Sequence, residues 1–297
     1  MTEISRTLLP SSVIRNRKKT HCTAARSMLA AAVFAALAAS GPAQASYWDA
    51  LHTIGSGEAL QSYSSSETIT HTVSESDSQK NALYLLQLVN NTEPLKADDF
   101  SLKFNLEGDG KTPVFGGVLY TMDGGLTTNF GGSETTLELI QTNQPSMDPD
   151  SSTAVVFVVG DVSYGDEATY NASTINFNAA KTMISGTSRG ETGASLEGIY
   201  LGSKAAFNFT GKEVVLTVIN ENNKPAHTDG TDRLASYSAT GINNQGLIID
   251  GRDYGLTTSA DTSMTINVTT TGDKIGSGYY DGAAIAAGLN AEGGRNC

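Results

Sequence analysis

Ser101-Leu102-Lys103-Phe104-Asn105-Leu106 alternates polar and apolar side chains without a break. Successive side chains of an extended chain point to opposite sides, so this hexapeptide reads as a strand with one buried face. Met264-Thr265-Ile266-Asn267-Val268 repeats the alternation far along the chain. Ala154-Val155-Val156-Phe157-Val158-Val159 is apolar throughout, as a strand buried on both sides would be. Similar runs, predicted as strands, are Glu67–Ser74, Leu83–Asn90, Val114–Thr121, Thr135–Thr142, Ala172–Asn178, Leu196–Leu201, Ala205–Phe209, Val214–Asn220 and Gly246–Asp250. Turn residues such as Gly124-Gly125, Gly131-Gly132, Asn222-Asn223 and Asp229-Gly230 separate them. The chain is therefore predicted to be all-β.

Strand centres near Leu137, Phe157, Asn176, Ile199, Thr217, Ile248 and Ile266 are mostly 18 to 23 residues apart. The longer gap holds a polar insertion, Glu221–Asp232. Gly198-Ile199, Gly241-Ile242 and Ala284-Ile285 recur 43 residues apart each time. Strands at a fixed period suggest a solenoid whose coils stack on one another. A β-sandwich also spaces its strands evenly and is the alternative fold.

The amino-terminal 45 residues read as a secretory signal. A basic cluster, Arg15, Arg17, Lys18, Lys19 and Arg26, precedes an apolar run from Met28 to Ala39. Gly41 and Pro42 follow, then Ala43-Gln44-Ala45, the small-x-small pattern of a cleavage site, which makes Ser46 the new terminus. The apolar run is shorter than the ~20 residues that span a bilayer. Cys22 precedes that run and so is not a lipoprotein cysteine; Cys297 is the one cysteine beyond the leader, which excludes an intramolecular disulfide.

The leader takes six of the 19 basic residues and one of the 31 acidic ones, leaving 13 against 30, a net of −17. Nucleic acid and anionic lipid head groups both require a basic face and are excluded as partners.

Ser238-Ala239-Thr240-Gly241-Ile242-Asn243-Asn244-Gln245-Gly246-Leu247-Ile248-Ile249-Asp250-Gly251, followed by Asp261-Thr262-Ser263-Met264-Thr265-Ile266-Asn267-Val268, resembles successive coils of a β-helical autotransporter (type V secretion) passenger domain. The long basic leader and the acidic, cysteine-poor remainder strengthen the likeness, which covers about residues 130–290. The resemblance implies a right-handed parallel β-helix over residues 131–297, with residues 46–130 as an amino-terminal β cap or first coils. It also implies an outer-membrane β-barrel. The tail from Ile285 to Cys297 is Ala/Gly-rich and has none of the amphipathic strands that a barrel needs.

Three motifs could carry chemistry. Gly186-Thr187-Ser188-Arg189-Gly190 fits the G-x-S-x-G nucleophile elbow, with Thr182–Ser185 as the strand before it. The segment after it, Glu191–Gly198, is a poor helix, and His227 is the one downstream histidine, so a turn between β-units is the expected reading. Gly108-Asp109-Gly110-Lys111-Thr112 ends like a P-loop, but Asn105 stands where its first glycine belongs and Pro113 stops the helix. A tight turn is expected there as well. His227, Asp229 and Asp232 share the polar insertion without a calcium or zinc pattern, so no metal and no cofactor is expected. His52 and His71 are isolated, and Asp98-Asp99 reads as a turn. Tyr47 and Trp48, beside the cleavage site, could cap the first β-unit.

Together these readings predict an exported bacterial surface or secreted protein: an adhesin-like passenger with a binding role and no catalysis. Host glycans or surface proteins are the expected partners, with self-association at open coil ends. The expected address is the cell surface, the outer membrane or the exterior, with the periplasm as the alternative. The competing function is an exported enzyme, either a serine hydrolase at Ser188 or a polysaccharide-acting β-helix.

Overall fold

The computed structural model describes residues 4–8, 48–55, 58–78, 82–89, 93–112, 114–121, 126–144, 153–159, 173–190, 195–202, 205–222, 237–244, 248–249, 252–253, 255–272 and 284–291. After β1 (Ile4–Leu8), the chain winds through β2 (Trp48–Ile54) and β3 (Thr68–Thr72), then β4 (Ala82–Leu88), β5 (Leu95–Asp98) and β6 (Ser101–Glu107). The next coils are β7 (Phe115–Thr121), β8 (Thr127–Gly131) and β9 (Glu134–Gln144), then β10 (Thr153–Val159), β11 (Ser173–Phe177) and β12 (Lys181–Gly190). They are followed by β13 (Ser195–Leu201), β14 (Ala205–Phe209) and β15 (Glu213–Asn222). The last described strands are β16 (Tyr237–Asn244), a short antiparallel pair β17 (Ile248–Ile249) and β18 (Arg252–Asp253), β19 (Gly255–Thr258), β20 (Ser263–Gly272) and β21 (Ala284–Ala291).

From β4 to β20, each coil contributes one strand to each of three faces. Face 1 runs β2-β4-β7-β10-β13-β16-β21, face 2 runs β5-β8-β11-β14-β19, and face 3 runs β3-β6-β9-β12-β15-β20. All these neighbours are parallel, and only β1 joins face 3 antiparallel, along β20. The protein is a parallel β-helix, as expected, and not a sandwich. The sheets cross residue 130 without a break, because β7 pairs with β10 and β8 with β11. In the first coil a 3-10 turn, Leu60–Tyr63, stands beside β5 in place of a face 2 strand, and its Gln61 Oε1 accepts the Asp98 N–H at 2.6 Å.

The register corrects the repeat. Ile199 does pair with Ile242, 43 residues on, but Ile242 pairs next with Leu289, while Ala284 and Ile285 lie opposite Tyr237 and Ser238. The 18-to-23-residue spacing is the step from one strand to another around a coil, and the coil itself is longer and uneven. Thr187 pairs with Ile140 below and Ile219 above, at sequence separations of 47 and 32. Insertions at corners cost little closure entropy, so the coil length drifts while the stacking is kept.

Burial follows the alternation where it was legible. Leu102, Phe104 and Leu106 point inward from β6, as do Met264, Ile266 and Val268 from β20. Face 3 stacks Leu102, Leu137, Ile184, Leu216 and Ile266 as an aliphatic ladder. The interior is not aliphatic throughout, however. At face 2, Phe130, Phe177 and Phe209 form a column, with ring centroids 5.2 Å apart for the first pair and 4.8 Å for the second, nearly parallel in both. Phe157 and Phe207 close in on it from the side. Burying each phenylalanine contributes roughly 1.5–3 kcal/mol.

On the outer side of face 2 the same stacking aligns asparagines. Asn176 Nδ2 donates to Asn129 Oδ1 and Asn208 Nδ2 donates to Asn176 Oδ1, both at 2.8 Å, and Thr257 Oγ1 donates to Asn208 Oδ1. Asn176 is the middle rung and makes two of these bonds. Asn176→Ala is expected to destabilise by about 1–2 kcal/mol, at roughly 0.5–1.5 kcal/mol per bond, read as a lower urea midpoint at unchanged slope. An unchanged midpoint would show that water replaces the ladder without loss.

Candidate functional site

The outward side of face 3 carries the longest strands among the described residues. Its strands are up to eleven residues long and share one register, so outward side chains form rows across the coils. One row runs Ser101, Thr136, Met183, Val215, Thr265, and the next runs Lys103, Glu138, Ser185, Thr217, Asn267. A third crosses the face at its rim: Glu134, Lys181, Glu213, Ser263. Most of these side chains are short, which leaves an open trough of about 500 Å³ lined by the first two rows as far as Val215 and Thr217, with Asp99 and Glu134.

The floor of the trough is set by a corner that the sequence marks only with Asp98-Asp99 and Gly131-Gly132. Asp99 adopts a left-handed φ of 50°, which Asp tolerates better than most residues. Its Oδ1 accepts the N–H groups of Ser133 and Glu134 in the next coil. Gly132 has φ 85°, and a Cβ there would sit 2.7 Å from the Asp99 backbone nitrogen, so this position requires glycine. The corner therefore holds the start of β9 against that of β6. Thr136 Oγ1 then donates to Glu134 Oε1 at 3.2 Å, and Lys181 Nζ lies 3.9 Å from Glu134 Oε2.

The trough mixes hydroxyls, both charges and the apolar residues Phe100, Met183, Ile184 and Val215. Glu134 faces Lys181 and Glu138 stands in register with Lys103, so each of these two glutamates has a basic neighbour. At the far rim Arg189 Nε donates to Glu221 Oε2 at 2.7 Å. A glycosidase needs two carboxyl groups roughly 5–9.5 Å apart across the scissile bond. Glu134 and Glu138 are four residues apart on one strand, a separation of roughly 13 Å at 3.3 Å per residue.

The G-x-S-x-G segment is not a turn. Gly186–Gly190 is the second half of strand β12, and this overturns the expected reading. Gly186 points inward, where a Cβ would come 2.7 Å from Val156 Cγ2; it is glycine because a facing coil side needs the room. Ser188 is buried, and its Oγ accepts a long contact from Gln141 Nε2 at 3.5 Å. Gln141 Oε1 in turn accepts the Gly116 N–H at 2.7 Å. These polar groups, with Asn220 next in register, form a buried row that ties face 3 to face 1. The described histidines are elsewhere, in the first coil: His52 is exposed and 5.7 Å from the Tyr63 ring, and His71 Nε2 is 3.1 Å from Asp77 Oδ2.

Gly108–Thr112 is a turn, as expected. Asp109 accepts the N–H groups of Lys111 and Thr112 and the Thr112 hydroxyl, and these bonds hold its carboxyl below the usual range. Ala43, Ala45, Ser46, His227, Asp229, Asp232, Cys22 and Cys297 lie outside the described residues, as does the side chain of Trp48. Among the described residues no three His, Cys, Asp or Glu side chains converge as a metal site, and no helix is long and apolar enough to cross a membrane.

One cluster had no clear sequence signal. Tyr84 and Tyr120 are buried on face 1 with ring centroids 4.6 Å apart. Tyr84 lies over Gly117, where a Cβ would come 1.9 Å from its ring, so the glycine pair inside the apolar run Val114–Thr121 was the available hint. Burial, and then the nearby Tyr120 and Glu197, push the Tyr84 hydroxyl well above its ordinary pKa. Compared with protein-family models, curated proteins and solved structures, the chain has no match.

Proposed function

We propose that this protein is an exported, adhesin-like passenger whose outer face 3 binds extended glycans or surface proteins without acting on them. The observation that carries the reading is the registered array of hydroxyl and charged side chains around the trough. Parallel stacking repeats equivalent outward positions from coil to coil at the ~4.8 Å strand spacing. A long polar ligand lying across the coils meets a hydrogen-bonding partner in each. Rigid strands hold the array, so little ordering entropy is lost on binding. The basic leader, apolar run and Ala43-Gln44-Ala45 site support export, and the likeness of residues 238–268 to passenger coils supports surface display. No metal or cofactor is needed.

The test is binding of the protein to an array of bacterial, plant and animal glycans and to host-cell surface proteins. It compares the parent with Lys103→Ala/Thr217→Ala, two substitutions on the outward row. A ligand held at this trough is expected to lose about tenfold in affinity, the equivalent of ~1.4 kcal/mol, with the unfolding midpoint little changed. Equal affinity in parent and variant for every ligand found would place the binding elsewhere. Release of shortened oligosaccharides by the parent would replace the binding reading with the enzymatic one.

A further inference from the structure

Strand β20 has two different neighbours. On one side it pairs in parallel with β15, from Ser263 opposite Glu213 to Gly272 opposite Asn222. On the other it holds β1 antiparallel, with Ile4 opposite Val268, Arg6 opposite Ile266 and Leu8 opposite Met264. β1 is the odd strand of face 3. It reverses the strand direction, comes from the opposite end of the chain, and is separated from β2 by residues 9–47. Among the described strands it pairs with β20 alone, so its departure leaves every parallel step of the solenoid in place.

The edge that β1 covers is well suited to pairing. β20 is ten residues long, Ser-Met-Thr-Ile-Asn-Val-Thr-Thr-Thr-Gly, with no charged residue and no proline. Proteins usually guard a long sheet edge with such residues. Met264, Ile266 and Val268 point inward from β20 and are buried, with β16 and β21 of face 1 packed nearby. The slot beside β20 thus offers a row of backbone N–H and C=O groups along an apolar margin. Ile4, Arg6 and Leu8 hold the three register positions opposite that margin, so β1 brings an arginine to the middle one. It suits the slot in direction but not fully in composition.

We propose that β1 is a placeholder, and that the slot beside β20 takes up an extended segment of a partner protein, antiparallel and apolar at all three of those positions. The inference rests on removal of residues 1–45, read from the sequence, which takes β1 away and vacates the edge at export. Main-chain hydrogen bonds along the edge then supply affinity, and alternate side chains of the incoming strand supply specificity. The trough of face 3 reaches no further than β15, so a strand seated beyond β20 leaves it clear. A ligand in the trough and a strand in the slot bind together.

The test uses the full chain and compares the parent with Arg6→Pro/Thr7→Pro. Alternate residues of an antiparallel strand direct their N–H groups to the partner, so one of two adjacent prolines removes a ladder donor. The probe is a fluorescent peptide of residues 3–9, followed by anisotropy. The variant is expected to bind it about tenfold or more tighter than the parent, whose own β1 competes at high effective concentration. The same peptide with Arg6→Val should bind about tenfold tighter again, the return on burying one apolar side chain. Methylating the peptide's backbone nitrogens at residues 4, 6 and 8, or instead at 5 and 7, should abolish binding for one set and spare the other. Amide protection should rise in β20 and not in β3, the strand at the opposite edge of face 3. Equal binding by parent and variant, the same response to both methylation patterns, or protection at β3 would overturn the proposal. So would amide protection lost from β12 in both the proline variant and Ile4→Asp/Leu8→Asp, since release of β1 must leave the coils folded. An exported chain whose mass still includes residues 1–45 would refute the vacated slot, whatever the peptide does.

Discussion

Phe177→Ala is expected to cost about 3–5 kcal/mol, the range for removing a fully buried aromatic ring. Phe177 has no exposed surface and is the centre of the phenylalanine column. Its ring lies between those of Phe130 and Phe209, at 5.2 and 4.8 Å, with Phe207 at 5.2 Å and Phe157 at 6.1 Å. Removing it opens a hole bordered by four aromatic rings from three neighbouring coils. The four rings are fixed to three strands, β8, β10 and β14, of three coils, so the hole cannot close without shifting coils. Aromatic pairs add roughly 0.5–1.5 kcal/mol each beyond buried area, which places the expected cost toward the upper part of the range. That is a large share of the total stability of about 5–15 kcal/mol typical of a folded domain.

A solenoid holds each coil mainly through its neighbours, so the damage should be graded along the axis. Amide exchange is expected to quicken most in β8, β11 and β14 and least in β2 and β3. Phe177→Leu, which keeps much of the volume, should cost less than half as much as the alanine. A cost for Phe177→Ala below about 1 kcal/mol would mean that the column is not packed as described.

The second large effect is expected at Gly211, for the opposite reason. A Cβ at this corner would lie 1.9 Å from the carbonyl oxygen of Ala179 and 3.1 Å from its carbonyl carbon. Both atoms belong to the backbone of the coil below, so no rotamer change relieves the clash. The coils are held at that distance by the Lys212 N–H bond to Ala180 O at 3.0 Å and by the Thr262 hydroxyl bond to Gly211 O at 2.7 Å. Adding one methyl group must therefore break or stretch bonds to the coils on both sides.

Gly211→Ala is expected to cost about 3 kcal/mol, at the upper end of overpacking losses. Gly55→Ala is the control, because its Cβ would meet only Val89 Cγ2 at an ordinary 3.6 Å. The check is the pair of chemical-denaturation midpoints. Equal midpoints for the two variants would refute the close approach of the corners. Gly117 is a softer case, since there the obstacle is the Tyr84 ring, a side chain that can turn.

Much of the strand inventory was legible because alternation is a local property. β6 and β20 bury the residues that their patterns assigned to the inner side. β5, β8 and β19 were missed because each carries a single large apolar side chain, Leu95, Phe130 or Leu256, too little to show a period. β12 was missed beyond Ser185 because Gly186 and Gly190 look like turn residues until the facing Val156 is in place. The trough was not legible at all. Lys103, Glu138, Ser185 and Thr217 are neighbours only because successive coils stack in one register, and the coil lengths between them differ. The ladder of Asn129, Asn176 and Asn208 was not legible for the same reason.

The amino-acid sequence by itself determined that the chain is built of short strands and turns, which residues of most strands face inward, and that the charge balance is acidic. These follow from side-chain periodicity, turn chemistry and composition, all of which act over a few residues or over the whole chain at once. The tertiary structure alone decided which strands are neighbours, that the coils have three faces, that phenylalanines share a column and that β1 lies along β20. Those pairings join residues tens of positions apart. Their energy comes from contacts that exist only after the coils have closed, and no local pattern encodes them.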